Sequence, residues 1–115
     1  MEVIREVLKS NEFHLYFNSL DKRIQTKYDY AILLMITQKV VSTKFVKKIQ
    51  ETELYELLIS IGTNEYRTLL VAVDHANFME AKRVVLLNSF LKKDNKQYKQ
   101  EIEKARTILV KEEII

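Results

Sequence analysis

The chain of 115 residues has no cysteine, no proline and a single glycine. Without cysteine there is no disulfide, no thiolate metal ligand and no thiol nucleophile, and nothing argues for an oxidising compartment. One glycine cannot build a P-loop or a dinucleotide-binding turn, since both use several glycines to bring backbone N–H groups onto phosphates. The two histidines, His14 and His75, fall on separate expected elements and in no ligand-spaced cluster. There is no G-x-S-x-G elbow either. No metal and no cofactor is expected. Long apolar runs are also missing: the stretch from Tyr30 to Ile36 is cut off at Gln38-Lys39, well short of the roughly 20 residues a membrane helix needs. Glu2, Arg5, Glu6 and Lys9 interrupt the N-terminus where a secretion signal would be apolar. The expectation is a cytoplasmic protein with no membrane partner.

What is present suits one compact domain spanning residues 1–115. Hydrophobic residues make up 47% and charged residues 30%, a globular balance that lets the chain bury roughly two thirds of its unfolded surface. The net charge of +3 favours a nucleic-acid partner only if the basic residues gather on one face.

Val3, Ile4, Val7 and Leu8 open either a short strand or a helical turn, because Arg5-Glu6 breaks the alternation. From Ser10 as N-cap, Phe13, Tyr16, Phe17 and Leu20 keep the spacing of an amphipathic helix. A second helix is expected from about Asp21 to Val40, with Ile24, Tyr28, Ala31 and Met35 as its apolar stripe. Beyond Ser42-Thr43 the period falls towards 2, giving a weak strand over 43–49 and strong ones over 54–61 and 65–73. Gly62, with Thr63-Asn64, supplies the positive φ of a tight hairpin. The polar stretch 74–82 connects to a strand over 83–91 that is apolar at nearly every position, as expected of a central strand covered on both faces. Asp94 and Gln97 form a capping box for a last helix carrying Tyr98, Ile102, Ala105 and Leu109. The expected order is helix, helix, strands, helix.

Arg, Lys and Tyr, with Glu or His, remain as the reactive groups, and cleavage of RNA suits them, because RNA brings its own 2′-hydroxyl nucleophile and needs fixed cations for the developing phosphorane charge. The sequences Leu54-Tyr55-Glu56-Leu57, Tyr66-Arg67 and Leu86-Leu87-Asn88-Ser89-Phe90-Leu91-Lys92-Lys93, followed by a Lys/Gln-rich helix with Glu101-Ile102 and Ala105, resemble the HigB-like, phage-derived branch of the RelE/ParE toxin superfamily. The resemblance covers roughly residues 43 to 106. It implies a RelE-like α+β fold, with two N-terminal helices packed on a small twisted, mainly antiparallel sheet and a C-terminal helix. It also implies a toxin of a type II toxin–antitoxin system, an mRNA endoribonuclease that works on the ribosome without metal and is held in check by an antitoxin with a helix-turn-helix domain.

Carried over position by position, the resemblance makes Arg67, Lys92 and Lys93 the catalytic candidates and Glu56 a possible orienting partner. Lys47, Lys48, Lys96 and Tyr98 are candidates for RNA binding. Three positions depart from the family pattern: Leu58 stands where an arginine is common, Ser89 replaces a glycine before Phe90, and no proline follows Lys93. Each candidate also has a plainer reading. Arg67 can be a strand-end arginine paired with Glu56 or Glu65, and Lys92 and Lys93 can end a buried strand and keep it soluble. Lys44, Lys47 and Lys48 can form a solvated face, and Tyr98 can be core with base stacking as its sharper role. Two other functions compete: a toxin-like binding module that has lost its chemistry, and a ParE-like inhibitor of gyrase.

Overall fold

The computed structural model describes residues 2–114. The elements are β1 (Glu6–Lys9), α1 (Asn11–Ser19), α2 (Lys22–Thr37), β2 (Val46–Lys48), β3 (Leu54–Ile61), β4 (Asn64–Ala72), β5 (Arg83–Leu91) and α3 (Asn95–Lys111). The strands make one five-stranded sheet in the order β1-β5-β4-β3-β2, antiparallel throughout except for the parallel β1–β5 pair. The helices α1 and α2 pack on one face and α3 on the other. The α+β architecture is the expected one. None of the described helices is long and apolar enough to cross a membrane.

The helix starts follow from side-chain chemistry. Ser10 Oγ accepts from Phe13 N–H at 3.0 Å, Asp21 Oδ1 from Ile24 N–H at 3.1 Å and Asp94 Oδ1 from Gln97 N–H at 3.0 Å, each satisfying an N–H that has no partner within its helix. The hairpin turns on Gly62 at φ +60°, with Ile61 opposite Asn64. Leu54, Leu57, Leu69, Leu70, Leu86 and Leu87 are fully buried, each contributing about 2 kcal/mol on leaving water.

The structure departs from the sequence pattern in four places. The first segment is a strand: Glu6 N–H donates to Lys82 O and Ser10 N–H to Leu86 O, so the element order begins with a strand rather than a helix. The second helix ends at Thr37, because Gln38 is already extended. The first predicted strand shrinks to Val46–Lys48, since Ser42 O closes a turn with Phe45 and Val46. The central place in the sheet belongs to β4, with β5 beside it and covered on both faces.

Strand β5 also carries a bulge. Thr68 pairs with Ser89 and Leu70 with Leu86, so Leu87 and Asn88 together oppose Leu69. Both point to the α3 side: Leu87 packs with Ala105 and Leu109, and Asn88 Nδ2 donates to Glu101 O at 3.0 Å. Ser89 then faces the other way, where its hydroxyl meets Thr68 Oγ1 at 2.6 Å beneath the buried Tyr28 hydroxyl.

Arg5 is the largest of the fully buried side chains, 1% exposed. Its guanidinium makes five hydrogen bonds to backbone carbonyls, reaching Met35, Gln38 and Lys39 at the end of α2 and Met79 and Ala81 in the loop before β5. The Phe78 ring lies 4.3 Å beneath it, a cation–π contact. No sequence signal marks this residue as internal.

Arg5→Met keeps the length of the side chain but leaves five carbonyl oxygens without a donor. Unfolding free energy should fall by about 3 kcal/mol or more, measured as a lower urea midpoint at unchanged slope. A loss under about 1 kcal/mol would mean that water replaces the guanidinium without cost.

Candidate functional site

Strand alternation aims Glu56 and Leu58 of β3 and Glu65 and Arg67 of β4 at the face that carries α3. Arg67 stands opposite Leu58 and Phe90, and Glu56 stands opposite Leu69. Glu56 and Arg67 are therefore diagonal neighbours, within reach of two long side chains. Glu56 Oε1 lies 3.1 Å from Arg67 Nε. Glu65, two residues before Arg67 on the same strand face, brings Oε2 to 3.2 Å from Nη1. Ser60, opposite Glu65 across the hairpin, donates to that same Oε2 at 2.6 Å.

Tyr98 completes the cluster from α3. The helix start is tied to the end of β5, because Lys93 N–H donates to Gln97 Oε1 at 2.8 Å and Gln97 Nε2 donates to Leu91 O at 3.0 Å. That tie sets the Tyr98 ring edge-on to Phe90, with centroids 5.3 Å apart. The hydroxyl accepts from Arg67 Nε at 3.1 Å and donates to Glu56 Oε1 at 3.0 Å. The residue is not simply core, and the ring is not free for stacking on both sides: the hydroxyl bridges a cation and an anion.

Arg67 is 7% exposed. Its Nε and Nη1 are engaged, the latter also with Tyr66 O. Among the described residues Nη2 makes no hydrogen bond, yet it is not sealed from solvent. One edge of the guanidinium thus faces outward. Lys92 stands beside it, its Nζ 6.0 Å from the Tyr98 ring centroid and its N–H bonded to Glu65 O.

The electrostatics follow this geometry. Burial draws the Arg67 guanidinium down, but Glu65, Tyr98 and Glu56 outweigh it, and its pKa lies above the ordinary arginine value. Burial and then the Glu56 carboxylate push the Tyr98 phenol up to about 12, against the pull of Arg67. The Ser60 hydroxyl and then Arg67 hold Glu65 below the usual carboxylate range, with a smaller contribution from Lys92. A protonated phenol, a fixed cation and a carboxylate thus meet at one point.

Of the candidates from sequence, Arg67, Glu56, Tyr98 and Lys92 come together. Lys47 is opposite Glu56 on edge strand β2 and shares its face. Lys48 points to the other face, over the Tyr55 ring at 5.4 Å, and bonds Thr52 O. Lys93 and Lys96 are exposed, and their side chains take no part in the cluster's hydrogen bonds. His14 touches Phe13, and His75 Nδ1 accepts from Asn77 N–H; neither joins the cluster. Among the described residues no group of His, Cys, Asp and Glu is arranged to hold a metal.

The departures from the family pattern have local meanings. Ser89 faces α2 and cannot touch the cluster, whereas Leu58, half-buried opposite Arg67, occupies the place from which a second cation would reach it. Ser60 was missed in the sequence as part of the site. The signal was there: a two-residue turn at Gly62-Thr63 sets Ser60 against Glu65, and Glu65 and Arg67 share a face by spacing alone.

The geometry defines an α+β domain with a cation-centred cluster on one sheet face. The chain belongs to the family described as Phage derived protein Gp49-like (DUF891), whose family model matches residues 15–110. No curated protein and no solved structure gives a significant match.

Two predictions follow from the cluster. Tyr98 and Tyr28 both have folded pKa values of about 12, against 10.0 for an unperturbed tyrosine. Their contribution to stability is complete below pH 10 and is lost as pH rises from there towards 12. Titration of phenolate absorbance should show a late-ionising group of tyrosines, and Tyr98→Phe should remove one of its members; an unchanged late phase would contradict the bridge to Glu56.

The counter-charges on Arg67 differ in accessibility, since the Glu56 side chain is 12% exposed and that of Glu65 is 42% exposed. An anion approaching Nη2 competes with Glu65. Glu65→Gln should tighten the binding of inorganic phosphate, measured by calorimetry, roughly two- to fivefold, the scale of one partly exposed charge pair. Equal affinities would show that Glu65 does not compete.

Proposed function

We propose that this chain is the toxin of a type II toxin–antitoxin pair, an endoribonuclease that cleaves mRNA on the ribosome without metal, in the cytoplasm, and is neutralised by a cognate antitoxin. The observation that supports this reading most is the outward edge of Arg67, flanked by Lys92 and backed by Tyr98 and Glu56. Membership of a phage-derived family fits it.

The chemistry closes on these groups. RNA supplies the 2′-oxygen, which forms a bond to phosphorus while the bond to the 5′-oxygen breaks, leaving a 2′,3′-cyclic phosphate and a 5′-hydroxyl. Arg67 Nη2 and Lys92 meet the growing negative charge on the phosphorane oxygens. Glu56 takes the proton of the 2′-hydroxyl, and Tyr98 gives one to the departing 5′-oxygen. The Tyr98–Glu56 hydrogen bond of 3.0 Å returns the proton from carboxyl to phenolate and resets the pair. Lys93 and Lys96 extend the cationic rim for the RNA backbone, with Lys47 on the far side of Glu56.

A second reading keeps the binding and drops the chemistry. It is favoured by Leu58 and by the two carboxylates that neutralise Arg67.

Expression of the wild-type chain should arrest growth and cut translated mRNA to fragments with cyclic-phosphate and 5′-hydroxyl ends. Lys92→Ala/Lys93→Ala changes only exposed side chains and should slow cleavage about 100-fold, the effect of losing one transition-state donor. Intact mRNA in a translating extract together with tight antitoxin binding would establish the second reading instead.

A further inference from the structure

The net charge of +3 hides a strong separation of charge. Between Lys22 and Gln50 there are seven basic residues and one acid, Asp29. That segment carries +6 inside a chain of +3, so the remainder is net negative. It comprises α2, the following loop and edge strand β2, and so runs from the sheet face opposite α3 to the edge beyond β3.

On α2 the exposed residues Arg23, Lys27 and Tyr30 follow one another at helical spacing and, with Thr26, line an open groove of about 460 Å³. Tyr30 is 57% exposed, so most of its ring is open to solvent beside the two cations. Its only aromatic neighbour among the described residues is Phe45, at 6.2 Å. Arg23 and Lys27 form no ion pair among the described residues, whereas Lys104 and Arg106 on α3 both do. A purely solvating face is usually interlaced with both signs of charge; this one is not.

Through Phe45 the patch continues to Lys44 and β2. From there Lys47 stands across from Glu56, beside Arg67. Unpaired cations around an exposed ring match the two features of a nucleic-acid strand, charge along the backbone and a π-face on every base. An acidic protein would use the charge but has no need of the ring.

We propose that the α2 face centred on Arg23, Lys27 and Tyr30 is a second RNA-binding surface, which holds an RNA strand outside the cleavage cluster and feeds it around the β2 edge. It rests on the reading of this chain as an RNA-acting protein. Cations on α2 grip phosphates, and Tyr30 stacks a base.

The test uses a fluorescent single-stranded RNA carrying 2′-O-methyl groups, which binds but offers no nucleophile. Arg23→Gln/Lys27→Gln/Tyr30→Ala alters only exposed side chains. It should weaken binding by about tenfold and reduce the slope of log affinity against log salt by about 1.4, since each phosphate contact on a single strand contributes about 0.7. Unchanged affinity and slope in this variant, with binding lost in Lys92→Ala/Lys93→Ala, would overturn the second surface and leave the RNA reading standing. Wild-type protein that ignores the RNA but binds poly-glutamate through the α2 residues would overturn both in favour of an acidic protein partner.

Discussion

Five carbonyl oxygens converge on the guanidinium of Arg5, and the arrangement of the other elements depends on that convergence. A helix C-terminus leaves carbonyls without donors and carries partial negative charge. Arg5 answers both at the end of α2. With its remaining donors it clasps the loop that leads into β5. One side chain thus fixes where the N-terminus, α2 and β5 meet, and β1 is laid alongside β5 as a consequence. Asp74 secures the same loop from outside by accepting from the N–H groups of Lys82 and Arg83. Strand β5, which carries Phe90 and leads into Lys92, therefore starts from a fixed point.

Arg67 shows the other way of burying the same group. Arg5 is surrounded by neutral dipoles and is closed on every nitrogen, which makes it structural and inert. Arg67 has carboxylates at Nε and Nη1, and its third nitrogen is open. Two carboxylates compensate the desolvation of one guanidinium at the cost of its net charge. What remains for a ligand is directional more than electrostatic: an oriented donor edge whose charge is regained when the exposed carboxylate yields. Glu56 is too enclosed to leave, so it keeps Arg67 and Tyr98 in register while Glu65 can exchange with solvent or anion.

Much of the fold was legible where a signal is local. The N-caps at Ser10 and Asp94 and the tight turn at Gly62 act within four residues, and the alternation in β3 and β4 and the helical stripes repeat over short windows. The arginine, glutamate and lysine of the site came from a resemblance, and the structure brings three of them together. What was not legible depends on distant partners. The first strand has only four residues and takes its identity from β5, more than 70 positions away. Arg5 reads as a surface charge until the carbonyls of two remote segments surround it. Tyr98 lies on an apolar helical stripe, and nothing in that stripe says that its hydroxyl falls between Glu56 and Arg67. Lys48 was grouped with Lys47 by adjacency, but adjacent strand residues face opposite ways.

The bulge at Leu87-Asn88 ties these threads together. With simple alternation after Leu87, Ser89 would face α3 and Phe90 would face α2. The extra residue exchanges them: the Ser89 hydroxyl goes to Thr68 and Tyr28 in the layer under α2, and Phe90 turns to the α3 side to become the buried wall against which the Tyr98 ring stands. The same shift puts Lys92 on the side of Tyr98 and Glu65. A residue that would be an anomaly in a regular strand is therefore the reason the last strand can contribute both an aromatic support and a cation to one face. It also explains why serine is acceptable at position 89. A side chain there fills a polar niche under α2, and the cluster around Arg67 never senses it.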